Sequence, residues 1–199
     1  LAFRGDRFIL RDFSAQYTVG GGWIIDPFAT RHKRFAEQTA ETLNSWAITR
    51  EPEALVELIL ESNENLCVSE DFIRYYLAST NQALIDVLDY LEKVGKILRW
   101  GGNFSFVSSV ERTQKIGLHL LEMLRGFHER KPLALGQNSS QLRLKLELNE
   151  FDFEKIIDYL LKKNQVVKDG NLIRLSSHEI AFSAQEETIK LKIEEIFSE

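Results

Sequence analysis

The chain has 199 residues, 44% of them hydrophobic and 28% charged, a composition that excludes a disordered polar polypeptide. No apolar run approaches the ~20 residues of a membrane-spanning helix and no signal-peptide pattern opens the chain, so it reads as a cytosolic protein. The net charge of −5 excludes a uniformly basic surface, but the balance is uneven: +2 over residues 1–50, −6 over 51–112, +2 over 113–180 and −3 over 181–199. Any phosphate contact is thereby confined to the first and third stretches.

In chain order, the first expected element is a hairpin. "RFILR" and "WII" within residues 5–27 are short β-rich runs, and "SAQYTVGGG" carries the turn and three consecutive glycines. Two strands alone are marginal in water, so Phe8, Leu10, Trp23 and Ile25 should be under-packed or borrow a surface. Leu1, where a start codon would put Met, agrees with a chain whose front has been removed. "VGGG" could cradle a phosphate, but no Lys-Ser/Thr follows and no helix opens there, which favours strand and turn positions. "RHKR" (31–34) begins a helix expected to run to about Trp46.

Next come an expected helix on "EPEALVELILESNEN", with Pro52 at its start and Leu55, Leu58 and Ile59 inward, and one on "SEDFIRYYLAS". Ser69 is the N-cap of the latter, and Phe72, Ile73, Tyr76 and Leu77 form its apolar face. The lone Cys67, between Leu66 and Val68, reads as a buried structural thiol. "VLDYLEKVGKILRWGGNFSFV" (87–107) and "IIDYLLKKNQVVKDGNLIRL" (156–175) then repeat one pattern: the end of an amphipathic helix, a strand, a Gly-centred turn and a returning strand. Leu84, Val87, Leu88 and Leu91 in the first copy, and Phe153, Ile156, Ile157 and Leu160 in the second, recur at helical spacing. Gly101-Gly102 and Asp169-Gly170 suit tight turns. A helix over 114–128 and a short one in "NSSQLRLKL" complete the second copy. "SAQEETIKLKIEEIFSE" resembles the opening helix of a third.

Helix, helix, helix, hairpin is the winged-helix order, so the expected class is α+β: tandem winged-helix modules preceded by the terminal strands of a β-barrel. The expected segments are 1–28 (barrel strands), 29–49 (connector helix), 50–110 and 111–180 (two winged helices) and 181–199 (the first helix of a third).

"RFILRDFSAQYTVGGGWIIDP" resembles the last barrel strands of translational GTPases of the elongation factor Tu type. The barrel end with "GGG", then "DP", then "RHKR", then winged helices, resembles the bacterial selenocysteine-specific elongation factors over nearly the whole chain. The resemblance implies work as the arm between a GTP- and selenocysteinyl-tRNA-binding core and downstream modules that bind an mRNA hairpin, for selenocysteine insertion at UGA codons. It implies selenocysteinyl-tRNA, the mRNA hairpin and the ribosome as partners, no membrane, a monomer, and a cytoplasmic location. GTP and Mg²⁺ would belong to a GTPase domain whose P-loop this chain lacks, so no cofactor and no enzymatic activity are expected of the chain itself.

The same resemblance places Arg11 and Asp12 where relatives touch the tRNA T stem. An Arg can pair a phosphate and an Asp can accept from a ribose 2′-OH, although a solvated strand end reads equally well. Arg31, Lys33 and Arg34 form either an RNA contact or a solvated connector, since successive helix positions diverge. Lys162, Lys163, Lys168 and Arg174, at the end of the second module's third helix and on its wing, suit a phosphate backbone or a solvated wing. The matching helix of the first module carries Asp86, Asp89 and Glu92, which repel phosphate. Arg99 and Trp100 could stack a base or pack under the hairpin. His32, His119, His128 and His178 lack metal-ligand spacing. Two other functions fit the module order, a tandem winged-helix DNA-binding transcription regulator and a protein-interaction scaffold. The acidic third helix disfavours the first of these.

Overall fold

The computed structural model describes residues 2–29, 37–101 and 105–179. They fall into two compact units, one ending at Arg112 and the other starting at Thr113.

The first unit opens with strands β1 (Arg7–Arg11) and β2 (Thr18–Trp23), an antiparallel pair with Arg7 opposite Trp23 and Leu10 opposite Gly20. The glycines of β2 answer to close packing. A Cβ on Gly21 would sit 2.7 Å from the Phe8 carbonyl oxygen, and one on Gly22 would lie 3.2 Å from the Phe8 ring. Phe8, Leu10 and Trp23 remain 41%, 55% and 64% exposed, whereas Ile25 packs against the core of the following module. The chain after β2 thus borrows a surface. Phe28 stacks on Phe72 at 4.7 Å between ring centroids, and Phe3 stacks on Tyr75 at 5.3 Å. The Tyr76 hydroxyl donates to Asp26 Oδ1 at 2.5 Å, and burial together with that carboxylate pushes the phenol's pKa far up.

Helix α1 (Glu37–Ile48) contributes Trp46 to the same core. The Arg4 guanidinium donates to the carbonyls of Trp46 (2.5 Å) and Thr49 (2.8 Å), satisfying acceptors that a helix end leaves without partners. The module proper is α2 (Pro52–Ser62), β3 (Val68–Ser69), α3 (Glu70–Leu77), α4 (Asn81–Lys93), β4 (Ile97–Trp100) and β5 (Phe106–Ser109), with sheet order β3-β5-β4. Leu55, Ile59, Ile73, Tyr76, Leu84, Leu88 and Leu91 are buried, while Leu58, Phe72, Leu77 and Val87 are half-buried against them. Cys67 is buried.

The second module repeats the plan: α5 (Val110–Arg130), β6 (Gln137–Asn138), α6 (Ser139–Lys145), α7 (Glu150–Lys162), β7 (Val166–Asp169) and β8 (Leu172–Leu175), with sheet order β6-β8-β7. Both are winged helices, and the class is α+β. α5 buries Thr113, Gly117, Leu120, Leu124 and His128, a stripe at helical spacing. Phe153, Ile156, Ile157 and Leu160 of α7 are all buried.

Three details differ from the sequence expectation. The sheet of each winged helix has a third strand, β3 or β6, of only two residues, too short for alternation to reveal it. α5 starts at Val110, four residues before the expected start, because Ser109 closes β5 and its Oγ accepts from the Arg112 amide at 3.3 Å. The second hairpin turns on Gly170-Asn171, not Asp169-Gly170: Asp169 pairs with Leu172, and the positive φ of +54° falls on Gly170. The expected "RHKR" contact, the Gly102 turn position and the expected helix over 181–199 lie outside the described residues.

Candidate nucleic-acid interface

The two third helices and their wings have the same scaffold. α4 and α7 are capped by Thr80 and Asn149, whose side chains accept from the amides of Ala83 and Asp152. Each ends in a turn where the next residue but one after the helix, Gly95 or Asn164, has a left-handed φ of 74° or 54°. Lys96 N donates to Leu91 O, and Gln165 N to Leu160 O, so both wings leave their helices through the same hydrogen-bonded reversal. What differs is where the cations go.

In the first module Arg99 lies 3.3 Å from Glu70, 2.5 Å from Asp89 and 3.7 Å from Glu92. Partial burial opposes its charge, but the hydrogen bond to Asp89 and the charges of Glu70 and Asp89 outweigh it and raise the guanidinium pKa. Arg99 therefore answers the acidic helix and leaves no cation on that wing for phosphate. Trp100 is 7% exposed and donates through Nε1 to Ser108 Oγ at 2.9 Å, so it packs under the hairpin and offers no face for a base.

In the second module Lys162, Lys163 and Lys168 are exposed. Lys163 Nζ lies over the Tyr159 ring at 4.6 Å from its centroid. Lys168 pairs in register with Ile173, and Arg174 with Val167, so Lys168 and Arg174 take opposite faces of the wing. Arg174 is half-buried and donates to the His178 carbonyl at 3.1 Å. It belongs to the module's internal bonding, whereas the three lysines line the helix end and the wing. Along α7 itself charges alternate: Lys155 pairs with Asp158 at 3.3 Å, and Glu150 and Glu154 are exposed. Such a helix is not a basic groove reader.

On the hairpin, Arg11 is exposed at the irregular end of β1. Asp12 turns away from it into the following loop, accepting from the Ser14 hydroxyl and from the Tyr17 amide at 3.0 Å. Those two hydrogen bonds hold its carboxyl pKa below the usual value. Asp12 is thus a loop organiser, and Arg11 is the side chain of the pair left facing solvent. Arg31, Lys33 and Arg34 lie outside the described residues.

Sequence reasoning did not identify Arg4 as the clamp on α1, nor the aromatic seam of Phe3 and Phe28 on α3. The run "FIRYY" was the available signal, since Phe72, Tyr75 and Tyr76 give that short helix more aromatic surface than its own core face needs. Among the described residues no group of three metal-ligating side chains comes together, and no helix is long and apolar enough to cross a membrane.

Residues 121–175 match a family model described as elongation factor SelB, winged helix. The chain is also similar to a selenocysteine-specific elongation factor of Desulfomicrobium baculatum, with 25% identity over 204 aligned positions that cover 96% of this chain. It spans about 30% of that relative's length.

Proposed function

We propose that this chain, a member of the selenocysteine-specific elongation factor family, is the arm that joins the GTP- and selenocysteinyl-tRNA-binding core of such a factor to modules that hold an mRNA hairpin. The observation that carries the reading is the match over 121–175, which falls on the winged helix whose lysines are exposed. The first module, its wing cation engaged by its own carboxylates, serves as a spacer. The second touches RNA backbone through Lys162, Lys163 and Lys168, and Arg11 supplies a further phosphate contact on the hairpin. The work is mechanical and cytoplasmic, in a monomer on the ribosome. GTP and Mg²⁺ act elsewhere in the factor, and the chain itself binds neither. A DNA-reading regulator is disfavoured because α4 presents Asp86 and Asp89 where a major-groove reader needs cations.

Electrophoretic mobility shifts with tRNA, an mRNA hairpin and duplex DNA test this. The 199-residue chain should bind RNA weakly, with little sequence preference and a steep loss on adding salt, because displaced counterions supply such binding. Lys162→Glu, Lys163→Glu and Lys168→Glu together should remove most of it, leaving only the contribution of Arg11. Tight, hairpin-specific binding at physiological salt, a preference for duplex DNA, or saturable GTP binding would overturn the reading.

A further inference from the structure

The buried stripe of α5 ends on a histidine where its earlier members are threonine, glycine and leucine. His128 is 7% exposed, and neither ring nitrogen has a hydrogen-bond partner. Its ring lies face to face with His178, 3.6 Å between centroids and 19° between planes. His178 belongs to the short segment after β8, folded back on the module: its amide donates to Leu175 O at 3.1 Å, its Nε2 lies 3.1 Å from Ala134 O, and its carbonyl accepts from Arg174. The stack therefore ties the chain leaving the second module to the end of α5 and to the loop before β6.

A buried imidazole without partners is an expensive way to fill a core position that a leucine would fill more cheaply. What the imidazole adds is a proton site. Once protonated, His128 would hold two unpartnered N–H donors in a dry site, stacked on a second imidazole and close to the Arg174 guanidinium. The groups facing it are His178 from the segment after β8 and Arg174 from β8 itself. On its own helix Glu129 and Arg130 are exposed, and Arg130 Nε donates to Gly126 O. Lys131 lies over the Phe127 ring, and Glu179 beside His178 is exposed. Among the described residues neither ring of the stack is in an ion pair with a carboxylate.

We propose that the His128–His178 stack is a proton-operated clasp: neutral, it holds residues 176–179 on the second module, and protonation of His128 releases them. Burial, then the nearby His178 and Arg174, lower the His128 pKa, in agreement with this geometry. The sign follows. The unfolded or released state binds the proton more readily, so the clasp is at full strength above the ordinary imidazole value near 6.5 and weakens as pH falls below it.

The test is a histidine NMR titration of the whole chain, with hydrogen exchange at the His178 amide between pH 7.5 and 5.5. The imidazole whose signal disappears in His128→Phe should titrate below its ordinary range. Corrected for intrinsic exchange, opening at His178 should rise with acid by up to about tenfold per pH unit, the limit for one linked proton. His128→Phe keeps a stacked ring without the proton site and should flatten that dependence. His178→Ala, a change at a half-buried edge position, should leave the segment open at both pH values and move His128 back towards its ordinary range. Titration of His128 at or above 6.5, or equal acid sensitivity in the parent and His128→Phe, would overturn the proposal.

Discussion

Arg99 and the wing lysines have the same charge and different surroundings. Arg99 is 25% exposed and lies within reach of three carboxylates, while the lysines of the second wing stand at a helix end and a hairpin tip. Arg99→Met, which keeps the aliphatic stem, should cost about 1 kcal/mol in urea unfolding, the upper part of the range for partly exposed ion pairs. The loss should shrink in high salt, because screening weakens the parent pairs and not the variant. A loss unchanged by salt would assign the effect to packing of the stem. Pairing of this kind was not legible beforehand: the sequence shows Glu70, Asp89, Glu92 and Arg99 at separations that only the folding of β4 beside α4 and the start of α3 brings together.

At the scale of elements, the repeat goes beyond a similarity of letters, because both third helices end by the same reversal. Gly95 and Asn164 hold the left-handed position, which glycine tolerates without penalty and asparagine better than most residues. Gly95→Ala should therefore destabilise the first module by about 1 kcal/mol, read as a lowered urea midpoint, whereas Asn164→Gly should leave the second module as stable or more so. Equal losses at both sites would mean that the side chain of Asn164 matters beyond its backbone. The apolar faces of α2, α3, α4 and α7 were readable from spacing alone, since each buries one side of an amphipathic helix. The short strands β3 and β6 were not, because two residues have no period and their pairing is decided by β5 and β8.

For the molecule as a whole, the distribution of exposed apolar surface is the outstanding feature. Phe8, Ile9, Leu10, Tyr17, Val19 and Trp23 all face solvent on β1, β2 and their turn, while both winged helices have ordinary cores. Exposed apolar surface on both faces of a hairpin binds hydrophobic dyes and promotes association in an isolated chain. Ile9→Thr with Leu10→Thr should lower dye fluorescence and raise solubility while leaving the unfolding free energy within about 0.5 kcal/mol of the parent. A large loss of stability would show that the hairpin supports the first module.

The sequence by itself determined the winged-helix order, the repeat, the core faces of the main helices and the resemblance to selenocysteine-specific elongation factors. These depend on periodicity, on capping and turn residues and on the order of motifs along the chain, all of which are local. Only the tertiary structure decided that Arg4 clamps α1, that Asp12 is engaged by its own loop, that Arg99 and Arg174 are held within their modules, and that His128 meets His178. Each of those outcomes joins residues distant in sequence or depends on which way a side chain turns. The energy that selects them comes from desolvation and pairing in a particular packed arrangement, which no spacing in the chain encodes.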